Sequence, residues 1–109
     1  MHKENLVFML NNLYKIMYQR EDLFRIQLAS KSHPVFQAHF PGNPLLPGFL
    51  VIEICSKILR KEVLKIHKVK FLNPIFPKDI LDFSFTCKEK KVEVTIFKDK
   101  QKIGQISYE

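Results

Sequence analysis

Hydrophobic and polar residues alternate with a period of two along much of this chain. Phe24, Ile26 and Leu28 fall on one side of an extended segment, with Arg25 and Gln27 on the other. Residues 14–18 and 23–28 read as two strands of a hairpin, joined by the polar run Gln19-Arg20-Glu21-Asp22. The same alternation predicts strands over 67–72, 80–88, 91–98 and 102–108, with turns at Glu89-Lys90 and Asp99-Lys100-Gln101. Residues 3–13 are amphiphilic and suit a short helix or an irregular lead-in. One stretch departs from period two. Beyond Pro47 a helix is predicted to open near Gly48, because proline's missing N–H costs nothing at a helix entry. Its first two turns are apolar almost all round; Lys57, Arg60, Lys61 and Glu62 then mark a polar half, and the helix is expected to fade by about Lys65. A helix set between an N-terminal hairpin and an antiparallel meander is an α+β arrangement.

Residues 33–54, just before and inside that helix, have an unusual composition. Four of the six prolines (Pro34, Pro41, Pro44, Pro47) and two of the three glycines (Gly42, Gly48) lie there. Each proline fixes its own φ and steers its predecessor away from helical backbone, so a stiff, non-repetitive loop is expected. The loop carries His39, and the helix after it carries an isolated carboxylate, Glu53, among Phe49, Leu50, Val51, Ile52 and Ile54.

The run His39-Phe40-Pro41-Gly42-Asn43-Pro44-Leu45-Leu46-Pro47-Gly48-Phe49-Leu50-Val51-Ile52-Glu53 resembles the active-site segment of the hotdog-fold 3-hydroxyacyl-(acyl carrier protein) dehydratases. That pattern is His-Phe-Pro-Gly-x-Pro, then Pro-Gly-Val-Leu, then Glu. A weaker likeness continues over residues 69–79, similar to the family's F-x-x-P-V-x-P-G-D segment, and together they cover about a third of the chain. The resemblance implies a single hotdog domain over residues 1–109, a curled antiparallel sheet around one long helix. Two departures stand out. Ile54-Cys55-Ser56-Lys57 replaces the family's Ala-Met-Ala-Gln, and Ala38 stands where glycine usually precedes the histidine. The connection from helix to next strand is also short, so a family strand or long loop is expected to be missing there. These features are similar to the small dehydratases of aryl-polyene-type pathways.

Dehydrating a 3-hydroxyacyl thioester needs a base for the Cα proton, an acid for the departing hydroxyl and donors for the charge developing on the thioester oxygen. The resemblance implies His39 as base, since imidazole titrates near neutral pH. It implies Glu53 as acid, in apolar surroundings that favour the protonated form. The Gly48 N–H, at a helix N-terminus with unpaired donors and a positive dipole end, would bind the thioester carbonyl. Phe40, Phe49 and Leu50, with Phe36, would line an acyl tunnel. Each residue also has a plainer role open to it: a backbone-bonded loop histidine, a Glu53–Lys57 pair at i,i+4 contributing about 0.2–0.5 kcal/mol, a turn glycine, and core packing. Gly42 serves loop geometry. His33 is expected at the surface, and His2 and His67 have no evident partner. Ser56 and Cys55 lack the elbow of a nucleophile.

By resemblance, the partners are an acyl carrier protein bearing the thioester-linked substrate and a second copy of the chain, with His39 and Glu53 of one site coming from different subunits and higher assembly left open. No cofactor or metal is expected, and Cys55 and Cys87 lack metal-site spacing, which suggests reduced, buried thiols. The formal charge of +7 suits an acidic partner such as a carrier protein; the scattered lysines lack the aromatic interleaving of nucleic-acid binders. Residues 6–10 are too short for a signal h-region and no run approaches a membrane span, so a cytoplasmic location is expected. Two other functions remain open: a hotdog thioesterase with Glu53 activating water, and a catalytically silent acyl-binding or assembly protein.

Overall fold

The computed structural model describes residues 8–38 and 42–109. Six strands form one antiparallel sheet: β1 (Tyr14–Arg20), β2 (Leu23–Leu28), β3 (Ile66–Phe71), β4 (Ile80–Lys88), β5 (Lys91–Lys98) and β6 (Gln101–Tyr108), in the order β1-β2-β4-β5-β6-β3. Two helices lie between β2 and β3, the short α1 (Pro34–Ala38) and the longer α2 (Gly48–Leu59).

Period two explains the layering. Phe24, Ile26 and Leu28 of β2 are buried, as are Leu81 and Phe83 of β4, Val92, Val94 and Ile96 of β5, and Ile106 and Tyr108 of β6. They share one core with Leu50, Val51, Ile52, Ile54 and Cys55 of α2. The sheet therefore curls its apolar face around α2, the hotdog arrangement. Phe24 stacks on Phe83 with ring centroids 4.6 Å apart, two side chains brought opposite by the β2–β4 register. On the other face the same register sets Arg25 against Asp82, joined through Nε–Oδ1 at 2.6 Å and Nη2–Oδ2 at 3.1 Å. Asp99 and Lys100 turn β5 into β6 with φ of 51° and 66°, the left-handed pair of a tight hairpin.

The predicted strands match closely, but two expectations between them fail. The stretch beginning at His33 is not loop throughout, because Pro34 opens the helical turn α1. The long helix does not reach Lys65. Arg60 adopts left-handed backbone (φ 55°, ψ 39°) and α2 ends at Leu59. The chain beyond is held by contacts distant in sequence: Tyr108 Oη donates to the Lys61 carbonyl (3.2 Å), and Leu64 and Lys65 N–H both donate to the Glu109 carbonyl.

Two glycines are explained by one ring. Phe71 of β3 pairs with Gly104 of β6. A Cβ at Gly104 would lie 3.1 Å from Phe71 Cδ1 and 3.3 Å from both Ile96 Cδ1 and the Lys70 carbonyl oxygen. A Cβ at Gly48, where α2 begins, would lie 2.9 Å from Phe71 Cε2. The ring thus fills the space left by two absent side chains. Gly104→Ala should destabilise the fold by about 1–3 kcal/mol, measured by urea unfolding, and adding Phe71→Leu should recover part of the loss. Unchanged stability of Gly104→Ala would mean the ring is not confined.

Candidate active site

The site is built where α2 begins. Pro47, the N-cap, precedes the helix in extended backbone (φ −62°, ψ 139°), and its own side chain makes no capping hydrogen bond. The first-turn N–H groups lie at the positive end of the helix, and that of Leu50 donates to the Pro47 carbonyl at 3.1 Å. Beside them is a cleft of about 260 Å³ lined by Leu45, Leu46, Pro47, Gly48, Phe71, Asn73, Pro74 and Ile75. Two loops form its walls and are tied together by the Leu46 N–H donating to the Ile75 carbonyl at 2.8 Å. The lining is apolar apart from the Asn73 amide and backbone groups.

Glu53 lies five residues beyond Gly48, about 7–8 Å along the helix. It is partly buried, and among the described residues it forms no ion pair with Lys57. Its charge is felt by Tyr108, whose hydroxyl is held well above its ordinary range, first by burial and then by Cys55, Cys87 and Glu53. Phe49 is 39% exposed, whereas Leu50 is fully buried in the core. Gly48 borders the cleft directly. His39 and Phe40 lie outside the described residues, so the structure brings Gly48, Phe49, Leu50 and Glu53 together on α2 and leaves the histidine arm to the sequence.

Described residues flank His39 on both sides. His33 is not at the surface but buried, and its ring organises the entry to α1. The Val35 N–H donates to His33 Nδ1 (3.0 Å), so Nδ1 carries the lone pair and Nε2–H donates to the Asn11 carbonyl (2.8 Å). The His33 carbonyl accepts from Phe36 and Gln37. On the other side Gly42 has φ of +86°, with no described atom within 4 Å of where its Cβ would lie, so its positive φ calls for glycine at this turn. His67, expected to lack a partner, pairs through Nε2 with Glu109 Oε1 at 3.1 Å. Cys87 is exposed, contrary to expectation, while Cys55 is buried.

Sequence reasoning missed Phe71, His33 and Tyr108. Only Phe71 left a signal: a glycine inside a strand, Gly104, marks a close approach.

Comparison with known proteins identifies the family. The chain matches the ApeI-like family, described as ApeI dehydratase, over residues 17–107. It belongs to the ApeI-like dehydratase family. A 3-hydroxyacyl-(acyl-carrier-protein) dehydratase FabZ of Aliarcobacter butzleri is 34% identical over 89 residues, covering 65% of this chain and 60% of the relative. The FabZ of Caulobacter vibrioides is 27% identical over 99 residues, covering 77% and 62%. The chain thus spans about three-fifths of the length of these curated relatives. In fold it is similar to the dehydratase heterocomplex ApeI:P from Xenorhabdus doucetiae, with a TM-score of 0.71 at 22% identity, covering 88% of this chain and 96% of that one. A hypothetical thioesterase with coenzyme A from Streptococcus pneumoniae shares the fold more distantly, with a TM-score of 0.55 at 12% identity, covering 87% and 84%.

The two thiols should behave differently. Burial pushes the Cys55 thiol far above its usual range, and thiolate is the reactive form. A colorimetric disulfide reagent should therefore titrate Cys87 alone in native protein and both thiols in denaturant. Two thiols reacting in the native state would show that the core around α2 opens.

Proposed function

We propose that this protein dehydrates 3-hydroxyacyl thioesters carried on an acyl carrier protein, giving the trans-2-enoyl thioester. The observation that carries this is the position of Glu53 on α2, about one and a half turns beyond the helix start at Gly48, in a member of the ApeI-like dehydratase family. His39 takes the Cα proton. Glu53 donates a proton to the departing hydroxyl, which leaves as water. The Gly48 N–H and the helix dipole steady the negative charge growing on the thioester oxygen. The apolar cleft beside Gly48 holds the acyl group against Phe71. Names of the FabZ relatives support this substrate class. The thioesterase-like fold neighbour supports only the shared fold.

The active unit is a homodimer in which His39 of one protomer faces Glu53 of its partner. Support comes from the open side of β3. It is an edge strand, and Leu64, Ile66, Val69 and Leu72 on and beside it are 81%, 50%, 42% and 52% exposed. Lys68 and Lys70 also lie exposed on β3, but an edge strand flanked by these apolar side chains invites pairing with another copy.

Purified protein should convert 3-hydroxyacyl-carrier substrates to the enoyl product. His39→Ala and Glu53→Gln should each lower the rate by roughly 10²–10⁴-fold while leaving the unfolding midpoint nearly unchanged. Free acid in place of enoyl product would make it a thioesterase, and acyl-carrier binding without either product would make it a binding module. Val69→Lys should shift the light-scattering mass from dimer toward monomer and reduce activity with it; a fully active monomer would refute the shared site.

A further inference from the structure

A second group of residues, away from the Gly48 cleft, is suited to an anion. A cleft of about 500 Å³ is lined by Asn12, Tyr14, Lys15, Gln27, Leu28, Ala29, Ser30 and Lys78. Another of about 430 Å³ shares Ser30 and Lys78 with it and adds Lys31, Ser32, Pro44 and Pro77. Three lysines and two serines line the pair, and no carboxylate does. Among the described residues, none of the three ammonium groups forms an ion pair. The nearest acid in sequence, Asp79, is already committed. Its Oδ1 pairs with Lys98 Nζ at 2.9 Å and its Oδ2 accepts the Phe76 N–H at 2.8 Å.

Lys78 also occupies an unusual backbone. The Asp79 N–H donates to the Phe76 carbonyl at 3.2 Å, closing a four-residue turn with Pro77 second and Lys78 third, at φ of 65°. This is the turn slot that favours glycine. Arg60 and Lys100 are left-handed too, so φ alone does not mark Lys78. What marks it is a strained lysine placed at the wall common to two cationic clefts. The second cleft reaches Pro44, and a neighbouring cleft lined by Lys31, Pro44 and Gly42 continues to the edge of the His39 loop.

We propose that Lys78, with Lys31, Lys15 and the Ser30–Ser32 pair, seats the phosphate of a 4′-phosphopantetheine arm, the tether common to carrier-bound and coenzyme A thioesters. The Ser30 and Ser32 hydroxyls are 2.7 Å apart and bonded to each other, which leaves one hydroxyl proton for a phosphate oxygen. Lysine recognises this group as a point charge, without the fixed geometry of arginine. The loop that ends in this cationic turn runs on from the wall of the Gly48 cleft, so a tether fixed by its phosphate at Lys78 directs its thioester along the seam between the loops. This assignment rests on the acyl-thioester function proposed above.

The test is titration of full-length protein with pantetheine 4′-phosphate and with unphosphorylated pantetheine, followed by calorimetry and amide shifts. The phosphorylated arm should bind roughly tenfold more tightly, with shifts at Ser30, Lys31 and Lys78. In Lys78→Gly, which fits the turn without strain and should melt no lower than the parent, the advantage should fall to roughly twofold or less. Equal binding of both arms by the parent overturns the proposal, as does an undiminished advantage in Lys78→Gly. Coenzyme A and carrier-linked arms then separate the two sources: a Lys78-dependent gain with only one names that thioester as the occupant, a gain with both makes the phosphate seat common to the two, and a gain with neither overturns the assignment. Enoyl product is scored separately. Lys78-dependent phosphate binding without dehydration leaves the phosphate seat standing and removes the dehydratase; dehydration with no phosphate preference does the reverse.

Discussion

The ring of Phe71 sits where the edge strand, the neighbouring strand and the start of the long helix meet, and the absence of two side chains makes room for it. Gly104 lies opposite it in the β3–β6 register and Gly48 opens α2. With a Cβ at either position lying 2.9–3.1 Å from the ring, a heavier residue would push β3 off its register or the helix off its axis. Interiors packed as tightly as crystals do not absorb such shifts cheaply. The cleft beside Gly48 exists because that distance is fixed. One of its walls is the ring itself, and the opposing loops are held by the bond from Leu46 to Ile75.

Much of this was legible in the sequence. The alternation of Phe24, Ile26 and Leu28, and of Val92, Val94 and Ile96, identifies buried sheet faces without reference to anything distant. Pro47-Gly48 marks the start of α2 to the residue. The end of α2 was not legible, because it depends on Tyr108 and Glu109 capturing residues 61–65 from nearly fifty positions away. His33 failed for a related reason. A histidine before proline looks like surface until Asn11 and Val35 supply partners for both ring nitrogens. Phe71 is one phenylalanine among ten, and nothing local singles it out; only the glycine buried in β6 hints that a ring must lie over it.

The positive charge is organised in the same indirect way. The formal excess of +7 does not describe where cations are available. Several carboxylates are held by nearby basic groups: Asp82 by Arg25, Asp22 by Arg20, Asp79 by Lys98 and Glu109 by His67. Such surface pairs contribute little to stability. Their larger effect is on the field, since each removes a carboxylate from competition and leaves unpaired lysines to set the potential over the clefts around Ser30.

Stiffness in the loop and openness on the helix answer different demands of the proposed reaction. A base must hold its geometry to within fractions of an ångström for an oriented proton transfer to gain from proximity. Among the described residues, Pro44 and Pro47 restrict the backbone that leads into α2, and His33 braces α1 ahead of the loop. The acid needs a change of surroundings instead. Glu53 is only partly buried in one chain, and Phe49 beside it is 39% exposed. Water reaching a carboxyl weakens its directed hydrogen bonding, and excluding that water strengthens every electrostatic contact within the site. In the proposed dimer, a second protomer seated on the open β3 edge would supply that cover, since its own exposed apolar side chains need the same burial. In the proposed dimer, assembly and catalysis would draw on one driving force: burial of the apolar side chains exposed along β3 would also close the site around Glu53.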